Sequence, residues 1–443
     1  MPIHTRTHAS LRSPLLALAL ALTLSAAVPA ASPSATPAAT ATPRSAEMPA
    51  LSGPGPQAIG TDYRELTAGD RRIGVRVWFP AAKPASTDAA APKAVYRHRR
   101  ALPGQQVLEV EENGLALSEA RPLAGVRFPL VLMSHGYGGW AEHMSRLGET
   151  LASRGYVVAS VDHRDQPFTD ARSFALSFGA VLIHRARDQQ RVLTALLERS
   201  LFDPAVTAQI EPDAIGLLGF SMGGYGTLVT AGVPLDRDAP AYAQFPAPAR
   251  ALLPDPDPAL AKRIKAVVAL APWGAQPGAM AWNDAALAGL RAPLLLVDGD
   301  RDDVVDFERG VKRLFGATTG TERHLLVYRG AAHNIAGNPV PLPADADFQT
   351  IEFLTDPVWR KERMEAINEH FISAFLDLHL KGDADKRRYL DVPTPVADDG
   401  QWPSAFGQHW GGTRAGDAQP GYWRGFQRRW ARGLELHHKA AGR

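Results

Sequence analysis

Residues 214–228 read AIGLLGFSMGGYGTL. Ala214 to Phe220 is a short run of apolar residues and glycine, which suits a strand buried on both faces. Gly219-Phe220-Ser221-Met222-Gly223 then fits the pattern G-x-S-x-G, with a helix expected directly from Met222. A sharp turn from strand to helix lifts the serine above the sheet, and glycines are needed on both sides of it because side chains there would clash. A serine hydroxyl is a poor nucleophile until a base takes its proton. Reading Ser221 as a nucleophile therefore demands a base elsewhere in the chain.

The surroundings of this segment repeat its rhythm. Strands are expected at Phe128 to Met133, Tyr156 to Val161, Lys265 to Leu270, Pro293 to Val297 and His324 to Tyr328. Helices are expected at Ala141 to Ser153, Ile183 to Arg199 and Pro357 to Leu380. Continuous apolar strands alternating with helices predict an α/β fold with a mostly parallel central sheet covered by helices on both faces. Ile73, Val75, Val77 and Phe79 alternate with Arg72, Arg76 and Trp78, the period of a half-buried strand. Residues 81–127 are polar and mixed, an expected insertion of hairpin or loop character. The proline-rich residues 235–263 also interrupt the pattern, and two readings stay open: a cap over the sheet's C-terminal edge, or a surface loop.

Three further segments carry chemistry. Ser134-His135-Gly136-Tyr137-Gly138-Gly139 follows the Phe128 strand. Glycine-rich backbone there can turn an N–H toward a reacting carbonyl, and acyl transfer needs two such donors. The candidates are the backbone N–H groups of Tyr137 and Met222. Asp298, Asp300, Asp302 and Asp303 cluster after a late strand, where an acid can orient the base. Asp298 and Asp300 are expected to cap or face solvent; Asp302 is preferred as the acid, with Asp303 as the alternative. His333, in Gly330-Ala331-Ala332-His333-Asn334, completes the order Ser, Asp, His with each member at a strand's end, and is the expected base. Asp162-His163-Arg164-Asp165 has a metal-ligand composition, but it ends a strand and no matching cluster appears, so no metal is expected. Arg185 and Asp188 are read as an ion pair or cap near a helix start.

The chain has 443 residues, no cysteine, and nearly balanced charge. Without cysteine there is no thiol nucleophile, disulfide framework or Cys zinc site. Balanced charge gives no electrostatic footprint for nucleic acid. Arg6 and Arg12, the apolar run Leu15 to Leu24, and small residues around Val28 and Ala30 read as a signal peptide over residues 1–30. That run is about half the roughly 20 apolar residues a span needs, so no stable membrane span is expected. Residues 31–60, rich in Ala, Pro, Ser and Thr, read as a disordered linker. A catalytic domain over 61–380 and a Trp-rich extension over 381–443 follow. Trp402, Trp410, Trp423 and Trp430 suit a sugar-binding face or packing against the domain, and packing is the expectation.

Residues 128–163, with SHGYGG and LASRGYVVASVDH, resemble the predicted dienelactone hydrolase and platelet-activating-factor acetylhydrolase group. GFSMGGYGTL, LAPWG and DRDDVV also resemble the bacterial cutinase-like polyester hydrolases. The resemblance covers about residues 61–380. It implies an α/β-hydrolase fold acting on carboxylic esters, with Ser221, Asp302 and His333 as the triad and Tyr137 and Met222 as oxyanion donors. It further implies that Trp273 lines the acyl or aromatic side of the cleft. The chain departs from true dienelactone hydrolases, which use cysteine, and from secreted cutinases that carry a disulfide.

The expected protein is an exported, periplasmic or secreted, serine hydrolase of small-molecule, lipid or polymer esters that needs no metal or organic cofactor. An acyltransferase or peptidase on the same triad is the alternative chemistry, and a binding protein that has lost catalysis is the non-enzymatic one. The leader reading predicts that protein recovered outside the cytoplasm begins near Ala31 on N-terminal sequencing; an intact Met1 on soluble cytoplasmic protein overturns it.

Overall fold

A computed structural model describes residues 48–83, 92–101, 107–401 and 421–443. The expected signal peptide, residues 31–47 of the expected linker, Trp402 and Trp410 lie outside them. The strands are β1 (Ala58–Ala68), β2 (Arg71–Ala81), β3 (Lys93–Ala101), β4 (Val107–Leu117), β5 (Phe128–Ser134), β6 (Val157–Asp162), β7 (Ile210–Phe220), β8 (Ile264–Leu270), β9 (Leu294–Gly299), β10 (Arg323–Tyr328) and β11 (Leu434–Lys439). They form one sheet in the order β11-β10-β9-β8-β7-β5-β6-β2-β1-β4-β3.

The middle of the sheet, β6-β5-β7-β8-β9-β10, is parallel, and antiparallel pairs extend it at both ends. Helices enclose this parallel part, so its strands need side chains that are apolar on both faces. Leu130 to Met133, Val157 to Ala159, Leu217, Leu218 and Leu294 to Val297 meet that need and are essentially inaccessible to water. All five parallel strands after β5 run the same way, so their C-terminal ends share one edge. There the chain turns into the loops that carry Ser134-His135, His163, Ser221, Asp302 and His333.

Within the polar insertion 81–127, β3 and β4 pair as antiparallel strands. Along β4, inward Leu108, Val110 and Ala116 alternate with exposed Glu109, Glu111 and Leu115. A buried carboxylate ties it to the core: Glu149, on the helix Ser145–Ser153, accepts from Tyr96 Oη at 2.6 Å and from the Leu115 and Ala116 N–H groups at 2.8 and 3.0 Å. Each acceptor lone pair so used offsets the cost of burying that charge. Residues 235–263 form short helical turns, and Tyr242 Oη lies 3.0 Å from Tyr225 Oη, which packs them on the helix Met222–Thr230.

Several boundaries differ from the expectation. Folded structure begins before Thr61: Leu51 is buried, its N–H donates to His370 Nδ1 at 3.1 Å, and the Gly53 N–H donates to Glu369 Oε2 at 2.6 Å. The small residues of 48–57 conceal this, because it is backbone that docks. The helix expected from Ile183 begins at Ala171, set by a reciprocal cap between Asp170 and Ser173. Arg185 and Asp188 are therefore mid-helix, and they do not pair with each other: Arg185 bonds Asp165 at 2.7 Å and Asp188 bonds Arg71. Finally, among the described residues of the C-terminal extension Trp423 is buried, and β11 joins the sheet edge.

Trp423 anchors that extension. It is buried against Phe371 and Phe426, and its indole N–H donates to the Thr394 carbonyl at 2.8 Å. Trp423→Ala should destabilise the fold by about 3–5 kcal/mol, read as a lower urea midpoint at unchanged slope. A change below ~1 kcal/mol would mean the extension is not part of the cooperative unit.

Candidate active site

Ser221 stands where β7 ends and the helix Met222–Thr230 begins, with φ 52° and ψ −115°. A non-glycine residue at such angles is strained by of order 1–3 kcal/mol, and the surrounding packing must impose it. The two flanking glycines show how. A Cβ on Gly219 would lie 2.3 Å from the Gly223 backbone, and one on Gly223 would lie 2.1 Å from the Ser134 carbonyl oxygen. The turn is thus closed so tightly that only hydrogen fits at either position. Trp273 N–H and Tyr225 N–H both donate to the Ser221 carbonyl, at 3.2 and 3.1 Å, which holds the turn from the far side.

The Ser221 side chain meets the histidine singled out in the sequence. Its Oγ is 3.0 Å from His333 Nε2, and His333 Nδ1 is 2.6 Å from Asp302 Oδ2. The other Asp302 oxygen accepts the Val304 and Val305 N–H groups at 2.8 and 3.0 Å. Burial opposes ionisation of Asp302, but the bond and charge of His333 and the Val305 N–H outweigh it and hold the carboxyl below its ordinary range. Asp303 is exposed and has no part in this array. Asp300 caps as expected, accepting from the Gly330 N–H at 2.6 Å. Asp298 does not face solvent: it is wholly buried, and burial together with the neighbouring Asp302 carboxylate raises it far above the usual carboxyl range.

Tyr137 and Met222 lie on the two loops that meet over Ser221. Met222 opens its helix, where an N–H has no intrahelical acceptor. The neighbours of Tyr137 are engaged, Gly138 N–H with Asp165 Oδ2 at 2.9 Å and Gly139 N–H with the Gly136 carbonyl at 3.2 Å. Among the described residues the Tyr137 N–H donates to no protein group. The Tyr137 ring stacks on Phe168 at 5.9 Å and meets Phe174 and Phe178 edge-on; Phe178 continues to Trp273 at 5.3 Å. This aromatic wall comes from the loop and helix at 164–178. It escaped the sequence reading because that helix was started too late.

A second Ser–His–Asp array lies beneath the first. Ser134 Oγ is 2.8 Å from His163 Nε2, and His163 Nδ1 is 3.1 Å from Asp188 Oδ2. In composition and connectivity it too is a serine-hydrolase triad. Its setting differs: Ser134 and Asp188 are fully inaccessible and His163 nearly so, whereas Ser221 and His333 reach solvent. Arg71 closes the array, gripping Asp188 through two nitrogens at 2.8 and 2.6 Å and the His163 carbonyl at 2.7 Å. Burial opposes the Asp188 charge, yet the bonds from His163 and Arg71 hold it down at about 2. The His163 N–H donates to His135 Nε2 at 3.1 Å, and His135 Nδ1 lies 2.6 Å from the Gly136 carbonyl. The segment 162–165, which has the composition of metal ligands, is therefore spent on bracing the 134–139 loop. Sequence spacing cannot show this, because the partners come from β2, β5 and the helix Ala171–Leu197, which are far apart in the chain.

A sheet with this parallel centre, a strained serine between strand and helix, and Ser–His–Asp arrays at its C-terminal edge have together the topology of the α/β-hydrolase superfamily. The chain has that fold and resembles two groups within it. The family model described as platelet-activating factor acetylhydrolase, isoform II, matches residues 42–175, which end before Ser221. The platelet-activating factor acetylhydrolase of Cavia porcellus is 45% identical over 42 residues, 10% of each chain. Cutinase est2 of Thermobifida alba is 24% identical over 253 residues, covering 52% of this chain and 66% of that protein. The chain thus spans less than two thirds of the length of either relative. A ferulic acid esterase from Streptomyces cinnamoneus superposes with a TM-score of 0.50 at 23% identity, over 75% of this chain and 93% of that one.

The inner array has a pH signature. Burial, reinforced by the Arg185 cation, lowers His163 from 6.5 to about 4 against the pull of Asp188. The unfolded chain therefore takes up this proton first on acidification. The stabilisation from His163 is complete above about pH 6.5 and is lost as pH falls toward about 4. The stability gap between wild type and His163→Gln should narrow across that window in urea melts; a gap that is constant with pH contradicts the assignment.

Proposed function

We propose that this chain hydrolyses carboxylic esters through an acyl-enzyme, with Ser221 as nucleophile, His333 as base and Asp302 as orienting acid. The observation that carries the reading is the continuous contact Asp302–His333–Ser221, at 2.6 and 3.0 Å, reaching solvent beside a helix N-terminus. His333 Nε2 takes the Ser221 proton as Oγ attacks the ester carbonyl carbon. Negative charge gathers on the carbonyl oxygen, where the Tyr137 and Met222 N–H groups donate. The His333 proton passes to the departing alkoxide, and water then repeats the cycle on the acyl-enzyme. Asp302 keeps the Nδ1 proton in place and stabilises the imidazolium.

The aromatic wall supports an ester with an apolar or aromatic group. Trp273, in van der Waals reach of Phe178 and bonded through its N–H to the Ser221 carbonyl, would hold that group against the cleft. The names of the similar proteins, cutinase, ferulic acid esterase and platelet-activating factor acetylhydrolase, support an ester substrate. No helix among the described residues is long and apolar enough to cross a membrane. Export to the periplasm or beyond is part of the proposal and rests on the basic, apolar and small-residue order of residues 1–30.

The two arrays make different predictions. Ser221→Ala should abolish labelling by a fluorophosphonate probe and lower p-nitrophenyl ester turnover by at least about 10⁴-fold, with an unchanged circular dichroism spectrum. Asp302→Asn should lose roughly 10⁴-fold, while Asp303→Asn stays within a few-fold of wild type. Ser134→Ala should still be labelled. Labelling that survives in folded Ser221→Ala and vanishes in Ser134→Ala would transfer the chemistry to the inner array.

A further inference from the structure

At the far end of β10 from His333, three metal-ligating side chains share one face of the sheet. Glu322 and His324 are two residues apart, so the period of a strand turns them the same way. His438 on β11 is the direct antiparallel partner of His324. The two imidazoles stack with centroids 4.6 Å apart, and one ligand atom from each of Glu322, His324 and His438 lies within 4.8 Å of the others.

A second observation concerns His324 itself. It is wholly buried, and neither ring nitrogen has a hydrogen-bond partner. A buried imidazole with both nitrogens unengaged costs free energy that a bound ligand would recover. Glu322 Oε1 accepts from Arg387 at 2.7 Å, the kind of outer bond that commonly fixes a ligating carboxylate, and lies 3.1 Å from His438 Nε2, a contact that a bound ion would replace. His438, a third exposed or more, leaves a path from solvent.

We propose that Glu322, His324 and His438 bind one divalent transition-metal ion, Zn²⁺ by the chemistry of the donors, and that it clips the C-terminal strand β11 to β10. Two imidazoles and a carboxylate suit Zn²⁺ with water completing a tetrahedron. Ca²⁺ and Mg²⁺ prefer oxygen ligands throughout. The site is structural and separate from Ser221.

The test uses untagged full-length protein, stripped with EDTA and dialysed, then titrated calorimetrically with ZnCl₂ and with CaCl₂. One Zn²⁺ should bind per chain, and the melting temperature should rise with Zn²⁺ concentration. CaCl₂ should give no saturable heat. His438→Ala, at the open end of the site, and Glu322→Gln should each weaken Zn²⁺ binding by at least about tenfold and remove the melting shift. Ester turnover should be the same in EDTA-treated and Zn²⁺-loaded protein. No saturable binding by wild type, or equal affinity in His438→Ala and Glu322→Gln, overturns the proposal and leaves the ester-hydrolase reading untouched.

Discussion

The closeness of the Ser221 turn to the Ser134 carbonyl is the contact on which the rest of the site is built. Gly223 leaves no room for a side chain there, so the helix Met222–Thr230 begins against the end of β5. That contact brings the Met222 N–H and the 134–139 loop to the same side of Ser221. It also explains how a residue with positive φ persists, since β7, the Trp273 and Tyr225 N–H groups and the Ser134 backbone all hold it. A strained residue needs over-determination of this kind.

Two Ser–His–Asp arrays of the same connectivity occupy one sheet edge and differ in their access to water. The outer one ends in a hydroxyl that is partly open to solvent. The inner one ends in a hydroxyl inside the sheet, closed by an arginine. What the inner array holds is the loop that carries Tyr137: His163 bonds both Ser134 and His135, while Asp165, itself paired with Arg185, takes the Gly138 N–H. The 134–139 loop, which carries the proposed oxyanion donor Tyr137, is thus placed by buried polar groups. Preorganisation of this kind is what makes such donors effective, because no dipole has to turn when charge develops.

Both ends of the described residues pack on the same domain. The segment from Pro49 and the turn at Gly425 meet over the helix Lys361–Leu380, where Ala50 N–H bonds the Gly425 carbonyl and Leu51 and Gly53 bond His370 and Glu369. β11 covers the edge that β10 would otherwise expose, which removes a row of unpaired backbone groups.

Much of this was legible in residue order. Apolar runs at β5 to β9 specify a buried parallel sheet because any polar side chain on either face would be stranded, and G-x-S-x-G after such a run specifies the turn because only glycine fits. Motif and order alone single out Ser221 and His333. They do not single out the carboxylate beside His333: four aspartates crowd at and after the end of β9, and local sequence cannot say which one faces an imidazole 31 residues away. Tertiary structure brings Asp302 to His333, ties its second oxygen down by Val304 and Val305, and turns Asp298 inward. Likewise the inner array, the aromatic wall and the Glu322–His324–His438 cluster depend on which strands and helices become neighbours. Periodicity reports which face of an element is buried, whereas the identity of the partner across the gap is set only when the sheet closes and distant segments compete for the same space.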